Sequence, residues 1–222
     1  MKQSAVESLE QSGIGAALVA MTTRDGSATH RYVTGPLLSS DANAARNLAD
    51  AAHYLAMLYG SQPGILDLAA ERAVEPVARQ WLAQATDGFS RERSFLTALT
   101  VAAGPQPSTP GHAASDSAVV NQRRAIETLA RSERKGCALG AAMALISDWQ
   151  PIRVVLNAAA EKLEIEAPLS ALPDSRAMIA TADAIGNNPG VRRALVFGAE
   201  QILAQHRGLW DLLEAREAVR IW

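Results

Sequence analysis

Alanine is the residue that most constrains how this chain can fold. It occupies 44 of the 222 positions, whereas aromatic residues supply only 5%. Alanine has the highest helix propensity, and its small side chain lets helix axes approach closely. Apolar residues also recur at three- and four-residue spacing along most of the chain, as they do in amphipathic helices. The sequence therefore predicts an all-α fold, a compact bundle of eight or nine helices in a single domain over residues 1–222.

One N-terminal segment departs from the helical pattern. Within residues 17–33, two runs that tolerate β-structure flank an Asp25-Gly26 pair, and Asp-Gly is a favoured two-residue hairpin turn. An isolated hairpin is only marginally stable in water, so it would have to pack on the helices. The sequence thus predicts a small N-terminal segment, residues 1–40, that could form a β-hairpin.

Prolines and capping residues predict where the first helices begin and end. Ser40 or Asp41 can cap a helix that ends at Gly60. Pro76 suits the first position of a helix, because the N–H that proline lacks would be unpaired there, and Gly88 is expected to end that helix. Each of these predicted helices has one apolar face, as surface helices of a bundle do.

Residues 104–112 form the clearest interruption of the helical pattern. They contain three prolines, which exclude a helix there and disfavour a central strand. The segment could link two domains, but neither side has a distinct composition or a repeat. A Pro/Gly-rich surface crossover within one bundle is therefore the favoured interpretation.

The second half of the chain contains the most apolar segment. Residues 137–146 are apolar on nearly every side, so their helix is predicted to lie at the centre of the structure. Pro151 is expected to begin a new helix, and Asn188 followed by Pro189 is expected to begin the last long one. Asp174 or Ser175 can begin the short helix that precedes this last one.

Charge and cysteine content exclude several classes of partner. The chain has 21 basic and 23 acidic side chains, whereas proteins that bind nucleic acid usually carry a basic domain or stripe. The longest charge-free apolar stretch, residues 136–147, has 12 residues, against the roughly 20 that a membrane span needs. The single Cys137 cannot form an internal disulfide and indicates a reducing compartment. We therefore predict a cytoplasmic protein with no nucleic-acid or membrane partner.

Short sequence motifs give no evidence for a particular enzyme class. The chain has no P-loop, no Rossmann glycine fingerprint, no HExxH, no paired CxxC and no GxSxG. These absences exclude the classes that such motifs define, but not enzymes whose sites assemble from scattered helices. The catalytic residues, and whether the protein is an enzyme, therefore stay open, and no cofactor or metal is predicted.

Two polar residues interrupt predicted apolar helix faces. Glu133 lies among apolar residues if the helix that begins near Asp116 continues through it, and His206 continues the apolar face of the last helix. In the structural interpretation, Glu133 forms an ion pair or reaches solvent, and His206 bonds carbonyls near a helix C-terminus. In the functional interpretation, both side chains line one cavity and bind a ligand there.

Asp50 and His53 are secondary candidates for a site. Their DxxH spacing places both on one side of a helix, as in carboxylate-bridged di-iron bundles. Such sites need further inward carboxylates and normally a second copy of the motif, which this chain lacks. The favoured interpretation is therefore a His–Asp pair at the boundary of the apolar face.

Gly136, Gly140 and Ala144 form one edge of the predicted central helix. Small residues spaced by four allow another helix, or a flat ligand, to come unusually close. With its length near 220 and its helical layout, the chain resembles haem-oxygenase-like and thiaminase-type bundles in outline, and the resemblance covers the helix over residues 136–149. The resemblance implies a pocket for a small ligand near the central helix. Haem is not expected, because no N-terminal helix carries a well-placed proximal histidine.

Two classes of function are compatible with these features. The favoured one is a non-catalytic interaction module or a homo-oligomer such as a homodimer, indicated by the near-neutral charge and the absence of motifs. The alternative is a bundle that binds a small molecule, with a candidate pocket formed by Glu133, His206, Gly136 and Gly140.

Overall fold

Helices account for most of the chain in the computed structural model, which describes residues 13–106 and 111–220. These two ranges contain nine α-helices, two short 3-10 turns at Ser27–Thr29 and Pro36–Leu38, and no strand. The all-α prediction is confirmed. In chain order the α-helices are α1 (Ile14–Asp25), α2 (Arg31–Thr34), α3 (Ala44–Tyr59), α4 (Ile65–Arg72), α5 (Pro76–Ala103), α6 (His112–Ala130), α7 (Cys137–Lys162), α8 (Ser175–Ile185) and α9 (Pro189–Arg220).

The hydrophobic core draws on all nine helices. Buried apolar side chains from α1 to α9 form one cluster, and most helices keep their polar residues on the opposite, exposed face. Burial of such apolar faces is the main favourable term that holds a bundle together. Within residues 13–106 and 111–220, no helix is both long enough and apolar enough to cross a membrane.

Helix α7 lies at the centre of the fold. Its residues 137–146 are all buried, as their apolar sequence predicts. α7 packs along α9, and the two helices come closest at two glycines. A Cβ on Gly140 would overlap the carbonyl oxygen of Leu195, and a Cβ on Gly198 would overlap that of Cys137. The small-residue edge of α7 is therefore occupied at Gly140 by a second helix.

The prediction of an N-terminal hairpin is wrong. Most of the segment belongs to α1, whose buried Ile14, Leu18 and Met21 follow helical spacing. Asp-Gly ends this helix instead of forming a two-residue turn, and the Gly26 N–H donates to the Thr22 carbonyl at 2.8 Å. The burial of one helical face, largely against α8, outweighs the β-propensity of the individual residues.

Three predicted helix boundaries are also wrong. α3 begins at Ala44 after Asn43, so neither Ser40 nor Asp41 caps it. α5 continues through Gly88, and α7 continues through Pro151. Relative to alanine, a glycine inside a helix destabilises the helix by about 1 kcal/mol and a proline by about 3 kcal/mol. Buried neighbours such as Phe89 and Ile152 offset that cost, because they would lose their packing if the helices ended there. Gly88 also contacts the backbone of Ala171, whose carbonyl oxygen would lie 2.6 Å from a Cβ on Gly88.

Other predicted helix starts are confirmed, because proline or a capping side chain at the position itself determines where the helix begins. α5 and α9 each begin at a proline. Asp174 caps α8, where its Oδ1 accepts the N–H of Ala177 at 2.8 Å. Asn188 precedes α9, and its Oδ1 accepts the N–H of Gly190 at 2.7 Å. The proline-rich segment connects α5 to α6, and its residues 107–110 lie outside the described ranges.

Candidate functional site

A cavity of about 400 Å³ opens where α5, α7 and α9 begin. Its lining combines apolar residues, most of them buried or partly buried, with exposed charged ones. The apolar part includes Ala78, Leu139, Ile185 and Val191. The charged part includes Arg72, Glu75, Glu133, Arg134 and Lys135. This combination of an apolar interior and a charged opening is typical of sites that bind small organic molecules.

The α6–α7 connection forms one wall of this cavity, and two interactions hold it in place. Arg72, at the end of α4, donates through Nη1 to the carbonyls of Arg131 and Ser132 at 2.5 and 3.1 Å. Gly136 has φ +96°, a left-handed conformation that side chains other than glycine rarely adopt. A Cβ there would also lie 3.0 Å from the carbonyl oxygen of Val191. Glycine at this position therefore lets the chain enter α7 beside the start of α9.

The electrostatic environment of the cavity favours an anion. Three cationic side chains and two carboxylates line it, which leaves one net positive charge. The first turns of α5 and α7, represented by Ala78 and Ala138, contribute as well, because each helix N-terminus carries about half a positive charge. A negatively charged ligand would be stabilised by both contributions.

Two of the four candidate pocket residues line this cavity. Glu133 and Gly136 do so, but Glu133 is exposed instead of buried among apolar residues. The reason is that α6 ends at Ala130, so the helical position assigned to Glu133 from sequence does not exist. Gly140 lies one turn inside α7 and faces α9. His206 is completely buried, in a separate environment.

His206 belongs to a chain of buried hydrogen bonds. Its Nδ1 lies 2.6 Å from Oδ2 of Asp148, and its Nε2 lies 2.6 Å from the hydroxyl of Tyr59. Asp148 also accepts the N–H of Ser27 at 2.7 Å through Oδ1 and its hydroxyl at 2.6 Å through Oδ2. The Ser27 oxygen in turn accepts the indole N–H of Trp210 at 2.8 Å. We call these five residues the buried network.

The buried network satisfies its own polar groups. Burial, followed by the negative charge of Asp148, holds the pKa of Tyr59 well above its usual value, so Tyr59 stays neutral and can donate its O–H to His206. His206 can then donate from Nδ1 to Asp148. Neither Asp148 nor His206 has any exposed surface. The network therefore joins α3, α7, α9 and the first 3-10 turn through buried hydrogen bonds.

A buried ion pair lies beside this network. Arg153 of α7 donates to both carboxylate oxygens of Glu92 of α5, at 2.6 and 2.7 Å. The same carboxylate accepts the indole N–H of Trp149 at 3.0 Å. The Trp149 ring stands edge-on to Tyr59, with the ring centroids 5.6 Å apart. The centre of the bundle thus contains charged groups, and each is paired with a partner on another helix.

Comparison with known proteins places the chain in a family. Residues 22–221 match DUF6975, a family of unknown function. The chain belongs to the DUF6975 family. No curated protein and no solved structure matches it. The cavity and the buried network both lie within the part of the chain that matches DUF6975.

Asp50 and His53 each bond to a different part of this DUF6975 chain. Asp50 accepts from Nε of Arg216 at 3.1 Å and from the Gln106 amide at 3.3 Å. His53 points to the crossover, where its Nε2 lies 2.9 Å from the carbonyl oxygen of Gly104. Burial holds the pKa of His53 below its usual value. The two residues attach α3 to different neighbours.

One further cluster has the residue types of a metal site. Nitrogen or oxygen atoms of His30, Asp211 and Glu214 lie within 4.8 Å of one another. However, Nδ1 of His30 accepts the N–H of Tyr32 at 3.2 Å, which caps α2. That bond places the proton of the neutral imidazole on Nε2, where it faces Asp211 at 3.1 Å. Because a metal ligand needs a free lone pair on Nε2, the arrangement favours a hydrogen-bonded pair at this position.

Most residues that form the cavity or the buried network could not be identified from sequence alone. Asp148 and Arg153 had a signal, because they are charged positions on the predicted central segment or just after it. Arg72, Ile185 and Val191 had none. They reach the cavity because three chain connections, far apart in sequence, meet there.

Proposed function

We propose that this DUF6975 protein binds a small amphipathic anion in the cavity where α5, α7 and α9 begin. The observation that carries the proposal is the cavity itself. Its volume of about 400 Å³ lies within the range of roughly 300–1,000 Å³ found for ligand sites. The buried Ala78 and Leu139 would contact an apolar group, and Arg72 and Lys135 would attract the charge.

Binding, without catalysis, is the activity that these residues support. The ionisable side chains in the described lining are arginines, a lysine and glutamates, with no histidine or cysteine among them. Ser132 has a hydroxyl, but no base is hydrogen-bonded to it in the manner that activates a nucleophilic serine. The residues best suited to proton transfer, Asp148 and His206, are buried elsewhere.

The test is a fluorescence titration with 8-anilinonaphthalene-1-sulfonate, called the naphthalene sulfonate below, which emits strongly in apolar surroundings. We expect saturable binding at one site per chain. Ala138→Phe would place a ring in the cavity and weaken binding about tenfold or more, equivalent to about 1.4 kcal/mol. Val154→Phe, on the exposed face of the same helix, is the matched control and should leave the affinity unchanged.

Two results would contradict the proposal. One is a well-folded Ala138→Phe variant that binds the naphthalene sulfonate as tightly as the wild type. The other is an equal loss of affinity in Val154→Phe. Circular dichroism and thermal unfolding of each variant establish that the fold is retained.

The interaction or homo-oligomeric module predicted from sequence is the second candidate. Two exposed apolar side chains favour it: Val74, which lines the cavity and is 68% exposed, and Phe197 of α9, which is 39% exposed. Sedimentation velocity tests this candidate. If a homodimer forms through this surface, the wild type should sediment as a dimer and the Phe197→Asp variant mainly as a monomer. A wild type that stays monomeric at high concentration would contradict the homodimer.

A further inference from the structure

A second concave surface adjoins the cavity. This groove, of about 650 Å³, runs along the first turns of α9 and shares Arg134, Lys135 and Val191 with the cavity. Arg193 and Phe197 line only the groove. The two spaces are therefore neighbours, and a ligand in the cavity would reach the groove by extending past these three shared residues.

The groove differs from the cavity in its charge. Arg134, Lys135 and Arg193 line it, and its described lining contains no carboxylate. In the cavity, by contrast, Glu75 and Glu133 offset part of the positive charge. An anionic group would be more stable in the groove than in the cavity, because the groove attracts it and has no carboxylate in its described lining to repel it.

Side chains, and not backbone amides, provide the positive charge of the groove. At the start of α9, the side chain of Asn188 already accepts the N–H groups of Gly190 and Val191, at 2.7 and 3.3 Å. These amides are therefore occupied. An anion in the groove would bind to guanidinium and ammonium groups, and arginine can contact two oxygens of a phosphate at once.

The groove also has an aromatic surface. Phe197 is 39% exposed, and the guanidinium of Arg134 lies over its ring, 5.6 Å from the centroid. This contact holds Arg134 beside the groove, so less side-chain entropy is lost when an anion binds.

We infer that the ligand is a phosphate ester, whose organic part lies in the cavity and whose phosphate group lies in the groove. The inference rests on the proposed binding function and specifies the class of ligand. A phosphate monoester carries about −1.5 to −2 charges at neutral pH and several acceptor oxygens, whereas a carboxylate carries one charge and two oxygens. Three cationic side chains with no carboxylate among them match the more highly charged group.

The experiment compares two compounds that differ only in the phosphate. 1-Naphthyl phosphate and 1-naphthol compete separately with the naphthalene sulfonate for the wild-type protein. We expect the inhibition constant of 1-naphthyl phosphate to be lower than that of 1-naphthol by about tenfold or more. This difference corresponds to one charge-assisted interaction. In Arg193→Glu, this preference should fall below about threefold, because a carboxylate replaces a cation that lines only the groove.

Arg46→Glu is the matched control, because it changes the net charge equally at a distant place. Arg46 is exposed near the start of α3, where Asn43 bonds Glu217 of α9 at 3.2 Å. Glu217 lies 24 residues after Arg193, or about 36 Å along the helix. Arg46→Glu should keep the wild-type preference for the phosphate. Circular dichroism checks the fold of both variants.

The outcomes separate the two proposals. If Ala138→Phe abolishes binding of the naphthalene sulfonate but the two naphthalene compounds compete equally, the phosphate inference fails and the cavity proposal stands. A preference that persists in Arg193→Glu, or disappears equally in Arg46→Glu, also overturns the phosphate inference. If Ala138→Phe does not weaken binding of the naphthalene sulfonate, the cavity proposal fails and the phosphate inference fails with it.

Discussion

Helix α7 connects two polar regions with opposite arrangements. In the buried network, Asp148 and His206 bond to each other and to groups on other elements, and neither is exposed. At the start of α7, Glu133 and Lys135 are exposed beside a cavity. Polar groups that satisfy one another stabilise a fold, whereas charged groups left facing a cavity remain available to a ligand. The buried network thus lies at the centre of α7, and the proposed binding site lies at its beginning.

The largest expected effect comes from breaking the buried network. Asp148→Ala removes a carboxylate that accepts three hydrogen bonds and leaves the donors of Ser27 and His206 buried without a partner. We expect the free energy of unfolding, measured by urea denaturation, to fall by about 3–5 kcal/mol.

Asp87→Ala is the control for this variant. Asp87 is 72% exposed in its ion pair with Arg91, so its loss should change the free energy of unfolding by no more than about 0.5 kcal/mol. If Asp148→Ala costs less than about 1 kcal/mol, the network is not a major source of stability. Under conditions where the variant stays folded, its affinity for the naphthalene sulfonate should match the wild type.

An intermediate effect is expected at the crossing of α7 and α9. In Gly140→Ala, the added methyl group would overlap the backbone of Leu195, so the two helices must separate. We expect the free energy of unfolding to fall by about 1–3 kcal/mol, as overpacked cores show.

Gly208→Ala in α9 provides the contrast for that variant. The added methyl would approach only the end of the flexible Gln122 side chain, at 2.9 Å, and alanine has the higher helix propensity. Its stability should therefore be unchanged or higher. A Gly140→Ala variant as stable as Gly208→Ala would mean that the close approach of the two helices is not required.

The smallest expected effect concerns the cavity opening. Glu133→Gln removes an exposed negative charge, so the free energy of unfolding should change by less than about 0.5 kcal/mol. The affinity for the naphthalene sulfonate should rise about two- to threefold, as is typical for one exposed charge interaction. Glu161→Gln, near the other end of α7, should leave that affinity unchanged. If Glu133→Gln and Glu161→Gln bind the naphthalene sulfonate with equal affinity, Glu133 does not contribute to the site.

Sequence reasoning succeeded where neighbouring residues decide the structure. Asp174 and Asn188 cap helices with their own side chains, and the apolar run at 137–146 required a buried helix. It failed where distant residues decide. Gly88 and Pro151 lie inside helices because packing on both sides outweighs their local preference.

The candidate site shows the same division. Gly136 and Glu133 are candidates from sequence and do line the cavity. Glu133 was expected on the apolar face of a helix, however, and that helix ends at Ala130 before reaching it. The sequence placed His206 on the apolar face of the last helix. The interpretation that it bonds carbonyls near a helix C-terminus is wrong, because α9 continues to Arg220 and His206 lies well inside it. Its partners Asp148 and Tyr59 lie 58 and 147 residues away, at distances over which sequence periodicity carries no information about pairing.

The sequence by itself determined that this chain is helical, which segment is most deeply buried, and that its charge is near balance. These properties follow from propensity, spacing and composition, which act over a few residues. Only the tertiary structure decided which polar groups became internal partners and which were left facing a cavity. That choice depends on how nine helices pack within the described ranges, because a buried polar group is stable only where another element brings it a partner.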